Sequence, residues 1–205
     1  MAQPAAQNPA TPATAPETTA TGTDTHVDHG GGTGHGTDAA GVRSRIHTWD
    51  PPTSYADVGG RSGLELARMS LDGSLPAAPI CGTLGFRLVE VEEGRAVFEG
   101  EPGEHLFNPM GTVHGGFMAT LLDSALGTAV LSALPSGRAY TTVQLGVHLV
   151  RPVLGTTPTL RCEGAAVHVG RTTATAEARI TGVADGKLYA HGTTTCAVFA
   201  VPGTA

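Results

Sequence analysis

The run from Asn108 to Asp123 constrains this chain more than any other: Asn-Pro-Met-Gly-Thr-Val-His-Gly-Gly-Phe-Met-Ala-Thr-Leu-Leu-Asp. It opens with a turn, Asn108-Pro109-Met110-Gly111, whose residues preset or relax backbone angles. The step His114-Gly115-Gly116 follows. Then an apolar run from Phe117 to Leu131 carries one carboxylate, Asp123, and no other charge. Phe117, Leu121, Ala125 and Thr128 recur at helical spacing, so the run reads as a helix that begins at the glycines. The first amides of such a helix have no partner inside it, and they suit developing negative charge. A carboxylate in an apolar helix is costly unless it is used or paired.

Spacing adds a second constraint. Asp123 lies eight residues beyond Gly115, about 12 Å along a helix axis. That is too far for both groups to meet one small carbonyl within a single chain. Two antiparallel copies of the helix would bring the Asp123 of one near the Gly115 of the other, which predicts a two-fold dimer with shared sites.

The 205 residues allow one domain with a tail. In residues 1–40, Ala, Thr, Gly and Pro account for 28 positions, and Met1 and Val27 are the large apolar residues. Such a segment cannot form a core, so 1–45 is expected to be a disordered low-complexity tail. The first 40 residues hold no Lys or Arg, which argues against a targeting peptide. His26, His29 and His35 near the end of the tail could hold a metal weakly, but a solvated tail is the better reading. The net charge of −6 gives no basic field for nucleic acid. No window reads as long and apolar enough to span a membrane. Cys81, Cys162 and Cys196 have neither zinc-ligand nor disulfide spacing and read as reduced core residues of a cytoplasmic protein.

Residues 46–80 read as an extension with one short helix. Order begins near Trp49-Asp50-Pro51-Pro52. The helix runs from Ser62 to Met69, with Ser62 and Glu65 fitting a capping box and Gly73 stopping it; Leu75 to Ile80 reads as a Pro-rich connector. The domain proper spans 81–200. Phe86–Glu92 and Arg95–Gly100 form a hairpin across Glu93-Gly94. After the organising helix come four strand-like runs: 141–151, 159–169, 172–180 and 188–199. In the first, Val143, Leu145, Val147 and Leu149 share one face and Thr142, Gln144, Gly146 and His148 the other. Turns fall at Gly170 and Asp185-Gly186. Sequential strands with short turns give an antiparallel sheet, and the one long apolar helix must be buried by it. The fold class is α+β, a curved sheet wrapped around a central helix.

These residues resemble the PaaI-like acyl-CoA thioesterases of the hotdog superfamily. The resemblance rests on Asn108-Pro109-x-Gly111-x-x-His114-Gly115-Gly116 with Asp123 following, on Thr141-Thr142-Val143 through Leu149-Val150-Arg151-Pro152, and on Val169-Gly170-Arg171. It covers about residues 80 to 200. It implies that Asp123 activates water as a general base or attacks the thioester itself. The Gly115 amide would polarise the thioester carbonyl. Asn108 would bond near that carbonyl or the water, or else serve only as a turn residue. His114 would orient Asn108 or the thioester, or only shape the turn. Thr142, with Thr141 as the alternative, would hold the water.

The resemblance also implies Gly116 and Gly170 as substrate-binding positions, although Gly116 reads more readily as a residue for close helix packing. Arg151 and Arg171 are candidates for the coenzyme A phosphates or for solvated sheet ends. No metal is called for, and coenzyme A enters as part of the substrate rather than as a cofactor. The expected activity is hydrolysis of an acyl- or aryl-CoA thioester by a homodimer or a pair of dimers. The alternatives are a non-catalytic acyl-CoA-binding hotdog protein and a hotdog hydratase or dehydratase.

Overall fold

The computed structural model describes residues 35–37, 41–54 and 58–201. Two units divide the chain, Met1–Ser44 and Arg45–Ala205. Strand β1 (His35–Thr37) is hydrogen-bonded to β2 (Arg43–Arg45) as a two-stranded sheet. Both strands fall within the expected 1–45 tail. Residues 1–34 of that tail, with His26 and His29, lie outside the described residues.

The second unit opens with α1 (Gly63–Leu71). Ser62 caps it as expected: its hydroxyl accepts from the Glu65 amide, and the Glu65 carboxylate accepts from the Ser62 amide in return. Asp72 closes the helix and Gly73 takes a positive φ just beyond it. Its first turn meets the end of the central helix so closely that a Cβ on Gly63 would lie 1.7 Å from the Leu131 carbonyl oxygen.

The connector expected over Leu75–Ile80 is shorter than the sequence suggests. Helix α2 (Pro79–Leu84) begins inside it, because Pro79 in the first turn presets a helical φ and needs no amide partner. Gly85 ends α2 in the left-handed conformation.

The hairpin β3 (Phe86–Glu92) and β4 (Arg95–Gly100) turns at Glu93-Gly94, with Glu92 opposite Arg95. A 3-10 turn over Glu104–Leu106 leads to α3 (Gly115–Ser132). Four strands follow: β5 (Arg138–Leu149), β6 (Leu160–Val169), β7 (Thr173–Gly182) and β8 (Leu188–Ala200). The sheet is antiparallel throughout and ordered β3-β4-β6-β7-β8-β5, so β5 crosses over to the far edge. This is the hotdog arrangement that the sequence led us to expect.

The sheet wraps α3. Leu121, Leu122, Ala125, Leu126, Ala129 and Val130 have no solvent exposure, and each buried leucine is worth about 1.5–3 kcal/mol. The helix also corrects one expectation. Over 18 residues its mean hydropathy is 1.2, long and apolar enough by composition to cross a membrane. In this fold 56% of that window is buried within the protein, which is what a core helix requires. All three cysteines are buried and unpaired.

The clean alternation expected in β5 is broken. Its register against β8 shifts between Thr142 and Gln144. Val143, expected on one face with Leu145 and Val147, is 61% exposed. Tyr140 packs on the core before the bulge, and Leu145 and Val147 after it. One extra residue therefore switches the inward face from even to odd positions.

Candidate active site

Asn108 shapes the turn that leads into α3. Its side-chain Oδ1 accepts from the Met110 amide at 2.9 Å and the Thr112 amide at 3.3 Å, while its Nδ2 donates to Thr112 Oγ1 at 2.8 Å. The Gly111 amide closes the turn on the Asn108 carbonyl at 3.0 Å, with Gly111 at φ +79°. The Asn108 oxygen and one of its two amide hydrogens are thus spent on the turn.

His114 is the N-cap of α3. Its Nδ1 accepts from the Gly116 amide at 2.9 Å, so in the neutral ring the hydrogen sits on Nε2. Its bond is to Gly116, not to Asn108. The Gly115 amide, one residue earlier, has no acceptor among the described residues, as the first amide of a helix should not. Gly116 is therefore engaged in the cap while Gly115 remains available to an anion or a polarised carbonyl.

The segment after β5 runs past this helix end. A Cβ on Gly115 would lie 2.6 Å from Leu149 Cδ1, and the Val113 amide donates to the Val153 carbonyl at 2.9 Å. Arg151 lies between these two contacts. It is exposed, and its guanidinium stands 5.9 Å from the centre of the Tyr189 ring, whose hydroxyl donates to Asp185 Oδ2 at 2.9 Å.

Asp123 faces β5 from two turns further along α3 and is partly buried. Thr142 Oγ1 donates to its Oδ1 at 3.0 Å. Thr141 is exposed, and the contact to Asp123 is made by Thr142, so the structure favours Thr142 over its neighbour. Cys196, paired with Thr142 in register, has its thiol pushed up by burial, and the Asp123 charge pushes it the same way. Sequence reasoning placed Cys196 in the core but not near Asp123, and it did not single out Thr194. The signal was the inward-facing series Gly192, Thr194, Cys196 and Val198, in which a hydroxyl stands at a core position.

Gly170 sits in the β6–β7 turn, its amide bonded to the Thr173 carbonyl at 2.9 Å. The Arg171 carbonyl beside it accepts from the Arg138 guanidinium. This turn lies at the start of β5, whereas Arg151 follows its end. Within one chain the two arginines are therefore at opposite ends of the sheet and do not converge.

A turn, an unpartnered helix-terminal amide and a hydroxyl-held carboxylate are thus strung along the central helix and its entry. Residues 110–188 match the sequence model of the thioesterase superfamily. The chain belongs to this superfamily. It is 42% identical over 86 residues to a provisionally named esterase of Halobacterium salinarum, covering 41% of this chain and 51% of that one. The chain thus spans about half the length of that relative. It is 27% identical over 100 residues to the 1,4-dihydroxy-2-naphthoyl-CoA hydrolase of Listeria monocytogenes, covering 48% of this chain and 79% of the hydrolase. A crystal structure of a Thermus thermophilus protein superposes with a TM-score of 0.53 at 30% identity, covering 59% of this chain and 97% of the other. In this thioesterase-superfamily chain the matched span holds Gly115, Asp123 and Thr142 but begins after Asn108.

Proposed function

We propose that this protein hydrolyses an acyl- or aryl-CoA thioester to the free acid and coenzyme A, at a site built from two copies of the chain. The observation that carries the reading is the Asp123 carboxylate, held at one oxygen by Thr142 on the helix whose first free amide is Gly115. Asp123 takes a proton from water as the water oxygen attacks the thioester carbon. The Gly115 amide receives the charge that builds on the carbonyl oxygen. The tetrahedral intermediate then expels the coenzyme A thiolate, which takes up the proton. Direct attack by Asp123 would give a mixed anhydride instead, which water then cleaves. Label in the Asp123 carboxylate after a single turnover in 18O-water would establish the anhydride route, because only attack of water on the aspartyl carbonyl of that anhydride can place it there.

Two features support a shared site. Eight residues of helix separate Gly115 from Asp123, about 12 Å. The long strand β5 is also the sheet edge, with no partner on its outer side among the described residues. Such an edge is a template for another strand. Antiparallel pairing of two β5 edges about a two-fold axis would oppose the two α3 helices. It would also carry the Arg171 turn of one copy toward the Arg151 end of the other, where both guanidinium groups could meet coenzyme A phosphates.

Thiol release from short, medium and aryl acyl-CoAs tests the proposal, with wild type and Asp123→Asn side by side. Turnover that falls by several orders of magnitude in the variant supports it. Tight acyl-CoA binding without turnover in wild type replaces it with a ligand-binding role.

A further inference from the structure

Thr194 is a buried hydroxyl that the chemistry above does not use. It is 2% exposed, on the inward face of β8. A hydroxyl in such a place must find a partner or pay for its desolvation. Its hydrogen goes to the Gln144 carbonyl on β5, at 2.8 Å.

That acceptor has a particular position. Gln144 is the first residue to regain register after the β5 bulge, where pairing passes from Thr142–Cys196 to Gln144–Thr195. The bulge decides where Thr142 points. With Leu145 and Val147 on the core, an unbroken strand of period two would turn Thr142 to the opposite face. The extra residue, Val143, lets Thr142 and Leu145 both face inward.

Thr194 also touches the other side of the bulge. Its Oγ1 lies 3.9 Å from Cys196 Sγ, and Cys196 is the register partner of Thr142. Because Thr194 has spent its only hydrogen on Gln144, the thiol is the donor in that contact.

We infer that Thr194 is a positioning residue: by holding the Gln144 carbonyl beside the β5 bulge, its hydroxyl keeps Thr142 turned toward Asp123. The inference rests on the reading of Asp123 as the working carboxylate. Thr194 touches no reacting atom and acts through Thr142.

Steady-state kinetics on the best acyl-CoA of the panel test this, with Thr194→Val, Thr194→Ser, Thr142→Val and the double variant Thr142→Val/Thr194→Val. Valine keeps the branched shape and removes the hydroxyl; serine keeps the hydroxyl. Thr194→Val should lower kcat about fivefold to tenfold, the kinetic equivalent of one lost hydrogen bond, with KM little changed. Thr194→Ser should restore kcat to within about twofold of wild type. The double variant should be no slower than Thr142→Val, because both changes remove the same contact. Should Thr194→Val fail to fold, Thr194→Ala makes the same comparison without crowding the core.

Wild-type kcat in the folded Val or Ala variant overturns the inference. So does a double variant slowed by the product of the two single effects, or a kcat loss that Ser does not rescue. With wild type active and Asp123→Asn inactive, these outcomes bear on Thr194 alone. A wild type without turnover overturns the functional reading, and this inference with it.

Discussion

Thr142 and Asp123 join the edge strand to the central helix through one 3.0 Å hydrogen bond from Oγ1 to Oδ1. The bond fixes one carboxylate oxygen and leaves the other to meet water or substrate. Thr142→Val should therefore lower kcat/KM about tenfold, the loss of one bond to a charged group. Asp123→Asn should cost several orders of magnitude more. Kinetics on the two purified variants check both, and equal losses would mean that Thr142 itself takes part in the chemistry.

Gly115 and Leu149 make a second prediction. A methyl on Gly115 would meet Leu149 Cδ1 at 2.6 Å, but Leu149 is 52% exposed and can swing away. Gly115→Ala should fold with stability changed by less than about 1 kcal/mol. Turnover should nevertheless fall about tenfold or more, because the methyl and the displaced leucine crowd the free amide. A thermal melt beside a kinetic assay separates the two effects.

Gly164 should behave in the opposite way. A Cβ there would lie 2.5 Å from the Ala125 carbonyl oxygen and 3.0 Å from the Leu126 nitrogen, both backbone atoms of α3. Neither can rotate aside, so sheet and helix must separate. Gly164→Ala should destabilise the protein by about 1–3 kcal/mol in chemical denaturation.

The cysteines predict a pH dependence. Burial pushes the Cys81 thiol from 9.0 up to about 11, and burial also raises Cys162 and Cys196. The folded protein should leave all three unreactive toward a disulfide reagent at pH 8, with three thiols titrating in denaturant. Raised thiols stabilise the fold fully below pH 9, where both states keep the proton. As pH climbs from 9 toward 11 the unfolded chain ionises first, and stability should fall.

Much of this architecture was legible in residue patterns because it follows from local chemistry. Ser62 and Glu65 announce a helix start by satisfying each other's amides, and the structure has both bonds. Glu93-Gly94 announces a hairpin because Gly94 takes φ +74° without cost. The lone carboxylate in an apolar helix marked Asp123. Pro79 is less legible: within a Pro-rich stretch that reads as a connector, it starts a helix instead.

The sequence by itself determined the central helix, its glycine entry and the carboxylate two turns on, since spacing along a helix is fixed by its rise per residue. Tertiary structure alone decided what those groups meet. Asn108 carries an amide that suits a thioester oxygen as well as a turn, and only the folded loop shows that its oxygen and one amide hydrogen go to Met110 and Thr112. Thr142 lies on the outward face of an ideal strand. It turns inward because β5 pairs with β8 through a bulge, and register between strands distant in sequence is set by packing rather than by local preference.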